Sequence, residues 1–431
     1  MTVTLGIRRE DKNRWERRVP ITPKHVKELK EKCGIETIIQ PSKIRVFSDK
    51  EYESSGAQVK EKLSSSVIFA IKEIPVDFFE SEKTYVFFSH TIKGQEYNMP
   101  MLTRMMELGC NLIDYEKITD EKERRLVFFG RFAGLAGMID TLWAFGQRMK
   151  WKGISTPFSE IKQSYQYSSL DEAKEHLKKM GKKIEKNGLP KSLTPLVVGF
   201  AGYGNVSKGA QEILDILPVE EISPKQLETI RKKFSDKVIY KVVFKEEDVV
   251  EPVSPGKEFN LQAYYSHPDL YRPVFQRYIP HLSILMNCIF WNKQYPRLIT
   301  KKFLKDNYNE KFKLQVIGDI SSDINGAIEF TEKVTSPDGP VFVYTSSNDK
   351  IIDGYKGDGV VVMAIDNLPC EVPRESSQFF SDTLMKFVSP IVKADFSVDF
   401  DRLELPPEIK KAVILHHGKL TPDYRYINKF L

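Results

Sequence analysis

Short apolar runs alternate with amphipathic stretches along almost the whole chain, and this alternation leaves few folds open. In the first third, VTLGI, IETIIQ, VIFAIK, TYVFF and NLIDY read as strands. The stretch after the first of them carries the marks of a helix: Thr22 to cap it, Pro23 in the first turn, Val26 and Leu29 on one face, Gly34 to end it. Strands separated by helices at this spacing build a parallel sheet covered on both faces. FGRFAGLAGMIDTLWAFGQRMKW reads as a long apolar helix with many small residues. A second alternation follows it, with LTPLVVGFAG, VEEIS, HLSILMN, LQVIGDI, VFVYT and GVVVMAI as strands. The charged, Pro- and Tyr-rich stretch from Phe234 to Pro280 interrupts this set and reads as an insertion. PRESSQFFSDTLMKFVSPIV, from Pro373, reads as a helix returning to the first domain.

At 431 residues the chain exceeds what one core usually supports, so two domains are expected. The expected fold is α/β, with two doubly wound domains and the active-site cleft between them. The first domain is discontinuous, residues 1–140 plus 373–431, and the second spans 141–372 with the insertion at about 234–280. Lys and Arg number 65 against 59 acidic residues, a net +6 spread along the chain. That balance argues against nucleic acid as a partner and mildly favours small anions. The four cysteines, Cys33, Cys110, Cys288 and Cys370, are widely spaced and form no metal motif, as for reduced thiols in a reducing compartment. No apolar run is long enough for a membrane span, and MTVTLGIRRED lacks a signal-peptide core. The expected location is cytoplasmic, or the mitochondrial matrix for an excised mature module. No metal and no membrane are expected.

LVVGFAGYGNVSKGAQEIL has the form strand, glycine turn, helix. Gly202 and Gly204 make the turn and let the backbone approach a pyrophosphate at the helix N-terminus, near Asn205 and Val206. Any tight strand-to-helix turn can look this way, but the surrounding alternation favours a Rossmann-like dinucleotide site. Ser207 stands where a third glycine is usual, with Gly209 two positions on. VEEIS is read as the second strand, and Ser223 and Lys225 follow it where an NAD enzyme usually has an acid. They suit a 2′-phosphate, so NADPH/NADP is expected over NAD.

VIFAIKEIP and VFFSHTIKGQ are neighbouring apolar runs that each stop at an ionisable side chain, Lys72 and His90. Most lysines are simply solvated and many histidines are satisfied in cores. The shared position at strand carboxyl ends, where open α/β sheets hold their ligands, favours a catalytic use. Glu73, Lys93 and Gln95 lie beside them, while Arg18, Glu116, Arg124 and Arg125 adjoin other apolar segments. Guanidinium groups clamp carboxylates in pairs of hydrogen bonds. The set implies a substrate with several carboxylates, an acid–base pair and a hydride carrier.

RREDKNRWERRVPITPKHV, FFSHTIKGQE, LIDYEKI, AGLAGMI, GYGNVSKGAQ, GDISSDINGAIEF and AIDNLPCEVPRESSQFF, in this order, resemble the lysine–2-oxoglutarate reductase module of the α-aminoadipic semialdehyde synthase family. The insertion YYSHPDLYRPVFQRYIPHL is similar to that of the animal and plant reductases; the fungal lysine-forming saccharopine dehydrogenases and alanine dehydrogenase are more distant. The resemblance implies condensation of L-lysine with 2-oxoglutarate and reduction of the imine by NADPH to saccharopine, the first step of lysine degradation by that route. It implies Lys72 and His90 as the acid–base pair and Arg18, Gln95, Arg125 and Phe129 as saccharopine contacts, with Glu73, Lys93 and Glu116 beside them. It implies Arg124 as a cofactor contact, Gly202 to Val206 as the pyrophosphate turn, and Ile320, Ile365, Asp366, Asn367 and Leu368 lining the nicotinamide. A glutamate-forming saccharopine dehydrogenase, fused or separate, is the implied partner activity. With Glu73 and Glu116 nearby, Lys72 is expected to act protonated and His90 as the main base. An NAD-dependent lysine-forming dehydrogenase, an alanine-dehydrogenase-like enzyme and a non-catalytic nucleotide sensor are the other readings.

Overall fold

Eighteen strands and eleven α-helices make up the described residues, 3–309 and 311–431, of a chain seen in a computed structural model. The first strands are β1 (Thr4–Ile7), β2 (Glu36–Ile39), β3 (Gln58–Val59), β4 (Val67–Phe69), β5 (Thr84–Phe87) and β6 (Asn111–Asp114), with helix α1 (Pro23–Cys33) after β1. Helix α2 (Gly130–Trp151) precedes β7 (Val197–Ala201), helix α3 (Asn205–Leu214), β8 (Val219–Glu221) and β9 (Ile239–Phe244). Then come β10 (Val250–Pro252), β11 (Tyr271–Pro273), β12 (Ile284–Asn287), β13 (Val316–Asp319), β14 (Val341–Thr345), β15 (Lys350–Asp353) and β16 (Val360–Met363). Helix α4 (Pro373–Lys393), β17 (Val413–His416) and β18 (Lys419–Leu420) complete the set. No helix among the described residues is long and apolar enough to cross a membrane.

The chain divides into two compact units, 1–129 with 373–431, and 130–372. The boundary therefore falls where α2 begins rather than at residue 140. In the first unit one eight-stranded sheet runs β18-β17-β6-β5-β4-β1-β2-β3. From β3 to β6 the pairs are parallel, and β17 adds antiparallel to β6. Strands β4, β5 and β6 are buried at every residue, as continuous apolar runs must be when helices cover both faces. Gly34 ends α1 in the left-handed region at φ 67°, and its N–H reaches the Lys30 carbonyl. Thr22 stands at the N-cap, but its hydroxyl meets His25 Nδ1 at 3.4 Å instead of a helix amide. The tail helix α4 belongs to this unit: Ser377 and Ser381 hydroxyls accept from the Val19 and Thr22 amides, both at 3.0 Å.

In the second unit the sheet order is β15-β14-β16-β13-β12-β7-β9-β8. This revises the expected arrangement in two places. Ile239–Phe244, inside the stretch read as an insertion, is the strand that pairs with β7, and VEEIS supplies only the edge strand β8. VFVYT, as β14, runs antiparallel to β16 and carries the hairpin strand β15. What remains of the insertion folds as short helices and the β10–β11 ribbon.

Candidate active site and dinucleotide turn

In the first unit the chemistry gathers beyond the carboxyl ends of two adjacent parallel strands, β4 and β5. Each strand is followed, three residues on, by an ionisable group: Lys72 after β4 and His90 after β5. His90 sits at φ 49°, a left-handed conformation that costs a non-glycine residue and is held by its surroundings. Glu73 ties the two ends together, its Oε1 lying 2.6 Å from His90 Nδ1 and its Oε2 3.0 Å from Lys12 Nζ. Burial would raise the Glu73 carboxyl, but the hydrogen bond and charge of His90, with Lys12, outweigh it and hold the group down at about 2. A Glu73 carboxylate that accepts from Nδ1 leaves Nε2 as the nitrogen able to exchange a proton with substrate.

Lys72 is half-buried. Burial, then the positive Arg18 and Lys12, push its ammonium toward the neutral amine against Glu16 and Glu73. Burial thus outweighs the neighbouring acids and makes the Lys72 ammonium a readier proton donor than an ordinary lysine. Its backbone is pinned from below: the buried Glu10 carboxylate accepts from Ile71 N at 2.6 Å and Lys72 N at 3.0 Å. Burial and then Glu16 raise Glu10 to about 7.

Arg18 is buried over the Phe129 ring, 4.2 Å from its centroid, and Phe129 stacks on Phe380 at 4.5 Å. Its Nε and Nη2 donate to the two oxygens of Glu16 at 2.7 and 2.6 Å. The fork expected to grip a substrate carboxylate thus already holds Glu16 along that edge. Glu116 is buried after β6 and pairs with Arg125. Gln95 carries a buried Oε1 with no hydrogen-bond partner among the described residues. Lys93 is exposed and forms no ion pair among the described residues. Arg124, 74% exposed at its side chain, is held by Asp120 on its own loop.

In the second unit β7 ends at Ala201 and Gly202 turns the chain at φ 93°. A Cβ at Gly202 would press on Ile289 Cγ2 at 3.1 Å and the Cys288 carbonyl at 3.2 Å, whereas one at Gly204 would meet nothing within 4 Å. The turn is closed on its floor and open above α3, which begins at Asn205 and Val206, so the backbone fits a pyrophosphate. Ser207 is buried, and the close helix approach usual for a third glycine is made by Gly209, whose Cβ would lie 2.1 Å from the Arg131 carbonyl of α2. Ile320 and Leu368 meet at another such gap, 2.9 and 3.1 Å from a Cβ placed on Gly137. Ile365 bridges to Thr335, Asn367 is half-buried and Asp366 is exposed.

Ser223 and Lys225, expected at the ribose, do not follow the strand beside β7. Both follow the edge strand β8, and Ser223 is turned to Gln226, accepted by its Oε1 at 2.9 Å. The strand beside β7 is β9, and Lys245 and Glu246 follow it directly. They line a cavity of about 420 Å³ together with Gly202, Tyr203, Gly204 and Tyr265. The apolar run VIYKVVF could have disclosed this strand, but flanking charges and proline made it look like part of the insertion. A buried acid pair also went unread: Asp140 of α2 lies beside Glu371, and the Ser164 and Tyr165 amides donate to them at 2.8 and 3.3 Å. Burial raises both carboxyls and no cation acts on either, so the pair retains a proton. Among the described residues no group of His, Cys, Asp and Glu could hold a metal ion.

Residues 6–136 match the family model for the alanine dehydrogenase/PNT N-terminal domain and residues 220–423 that for its C-terminal domain. Over 441 residues the chain is 40% identical to alpha-aminoadipic semialdehyde synthase of Arabidopsis thaliana, an alignment covering 98% of this chain and 41% of the relative. It is 35% identical to the mitochondrial alpha-aminoadipic semialdehyde synthase of Mus musculus, covering 99% of this chain and 47% of the relative. The chain thus spans less than half the length of these relatives. An L-alanine dehydrogenase superposes with a TM-score of 0.62 at 16% identity, covering 99% of this chain and 100% of that one, a likeness of fold. With both domain models matched and homology to the semialdehyde synthases along nearly its whole length, the chain belongs to the alanine dehydrogenase/PNT family of oxidoreductases.

Proposed function

We propose that the chain is a lysine–2-oxoglutarate reductase that forms saccharopine with NADPH. The observation that carries the reading is the proton-handling group at the ends of β4 and β5, Lys72 beside Glu73 in the chain and Glu73 bonded to His90. The family relationship to the semialdehyde synthases supplies the substrate pair. The bound nicotinamide cofactor would supply the hydride that reduces the imine carbon. The lysine ε-amine must lose a proton before it attacks the keto carbon, and His90 Nε2 suits that task because Glu73 holds Nδ1. Water must then leave, and the Lys72 ammonium can deliver the proton with which the carbinolamine hydroxyl departs as water. Its depressed pKa helps, since a more acidic ammonium gives up its proton more readily. The ion-paired Arg125 is the guanidinium offered to a substrate carboxylate, and Gln95 Oε1, an acceptor, suits an N–H of the substrate. Lys245, following β9, is the cation offered to a 2′-phosphate, and this supports NADPH over NADH.

The test is oxidation of NADPH followed at fixed enzyme with L-lysine alone, 2-oxoglutarate alone and both together. Oxidation only when both are supplied, with saccharopine as product, is the expected result. Oxidation sustained by either compound alone would remove this reading.

A further inference from the structure

Glu246 is in the place where a dinucleotide-binding sheet usually keeps the acid that accepts from a ribose 2′-hydroxyl. It is not presented there alone. The Tyr265 hydroxyl donates to Glu246 Oε1 at 2.6 Å, while burial and then the charge of Glu246 raise the Tyr203 phenol of the glycine turn. Tyr265 comes from the insertion, on the short helix Leu261–Ser266, whose N-cap Asn260 accepts from Ala263 N. That helix is fixed by its neighbour Tyr264, 5% exposed, with ring centroids 5.3 Å from Tyr271 and 5.4 Å from Tyr295. One face of the helix is thus packed, and the other presents the Tyr265 hydroxyl to the cavity. Lys245, by contrast, is exposed at the cavity and makes no ion pair among the described residues.

We propose that Tyr265 is a specificity-determining residue: by engaging Glu246 it withholds that carboxylate from a ribose 2′-hydroxyl and leaves Lys245 to read a 2′-phosphate. The inference rests on the reading that a nicotinamide dinucleotide occupies this cavity. Discrimination then depends on a segment outside the sheet, through one hydroxyl. Freed of Tyr265, Glu246 gains an unshared oxygen that a 2′-hydroxyl can satisfy, and its charge faces a 2′-phosphate directly.

Binding of adenosine 2′,5′-bisphosphate and of 5′-AMP to the whole chain, by calorimetry without substrates, tests this independently of turnover. The wild-type chain should prefer the bisphosphate. Tyr265→Phe should narrow the preference by about tenfold, the worth of one hydrogen bond to a charged group. Lys245→Met should weaken the bisphosphate and leave 5′-AMP unchanged. The decisive arm is Glu246→Gln, which should widen the preference and make Tyr265→Phe silent when the two are combined. A Tyr265→Phe ratio that does not move, or that moves equally with Gln at 246, overturns the proposal, as does wild-type preference for 5′-AMP. If neither nucleotide binds, the dinucleotide reading of the cavity falls as well, a result distinct from a lost preference alone.

Discussion

Burial, Arg18 and Lys12 act on the Lys72 ammonium in one direction, and Glu16 and Glu73 in the other. Lys12 also occupies one oxygen of Glu73. Lys12→Met therefore removes a repulsion and strengthens an attraction at once, and both changes raise the Lys72 pKa. The alkaline limb of the pH–rate profile should move to higher pH, and a limb that moves down or stays fixed would dissociate it from Lys72. Lys72→Met and His90→Gln should each lower kcat by about 10²- to 10⁴-fold. Lost together they should cost less than the product of the single effects, because they serve one proton circuit. Unchanged melting temperature and nucleotide affinity in both variants would distinguish chemistry from architecture.

Helices α2 and α3 touch backbone to backbone, and two glycines make this possible. A Cβ on Gly134 would lie 1.9 Å from the Val206 carbonyl, and one on Gly209 2.1 Å from that of Arg131. Neither obstacle is a side chain that could swing away. Gly209→Ala should therefore lose about 1–3 kcal/mol in urea unfolding, the range for overpacking, and should disturb the glycine turn one helical turn away. Ser207→Gly, which restores the familiar third glycine, should leave nucleotide affinity unchanged, because Gly209 already makes the close approach. Features of this kind show what the sequence could disclose. Strand, turn and helix around Gly202 are local and were legible, as were Lys72 and His90, marked by where apolar runs stop. The register of β9 was not, because β8 precedes it in sequence yet pairs outside it, and sheet order is set by distant contacts. The hold of the Arg18 fork on Glu16, two residues away, was not legible for a related reason: only side-chain geometry reveals it.

Across the molecule, the Asp140–Glu371 pair makes stability depend on pH in a direction opposite to a salt-bridged carboxylate. The folded state raises these carboxyl pKa values, so it retains a proton that an unfolded chain releases near about 4. The stabilisation is complete below that value and declines as pH rises through the folded pKa. Asp140→Asn keeps a donor against Glu371 without needing that proton. Its stability should gain on the wild type between pH 5 and pH 8, by about 1 kcal/mol or more since one pKa unit is about 1.4 kcal/mol. Chemical denaturation at both pH values measures the difference, and parallel behaviour of the two proteins would mean the pair is already ionised when folded.

The return of the chain to its first unit has a consequence for synthesis. On a ribosome, residues 1–129 emerge first, yet Ser377 and Ser381, which bind the Val19 and Thr22 amides, and the strand that flanks β6 lie beyond residue 372. Residues 130–372 form one uninterrupted unit and need nothing from elsewhere in the sequence order to complete their own sheet. The nascent chain thus finishes its middle before its beginning. Until α4 emerges, the core residues that Phe380, Leu384 and Val388 will cover stay apolar and open.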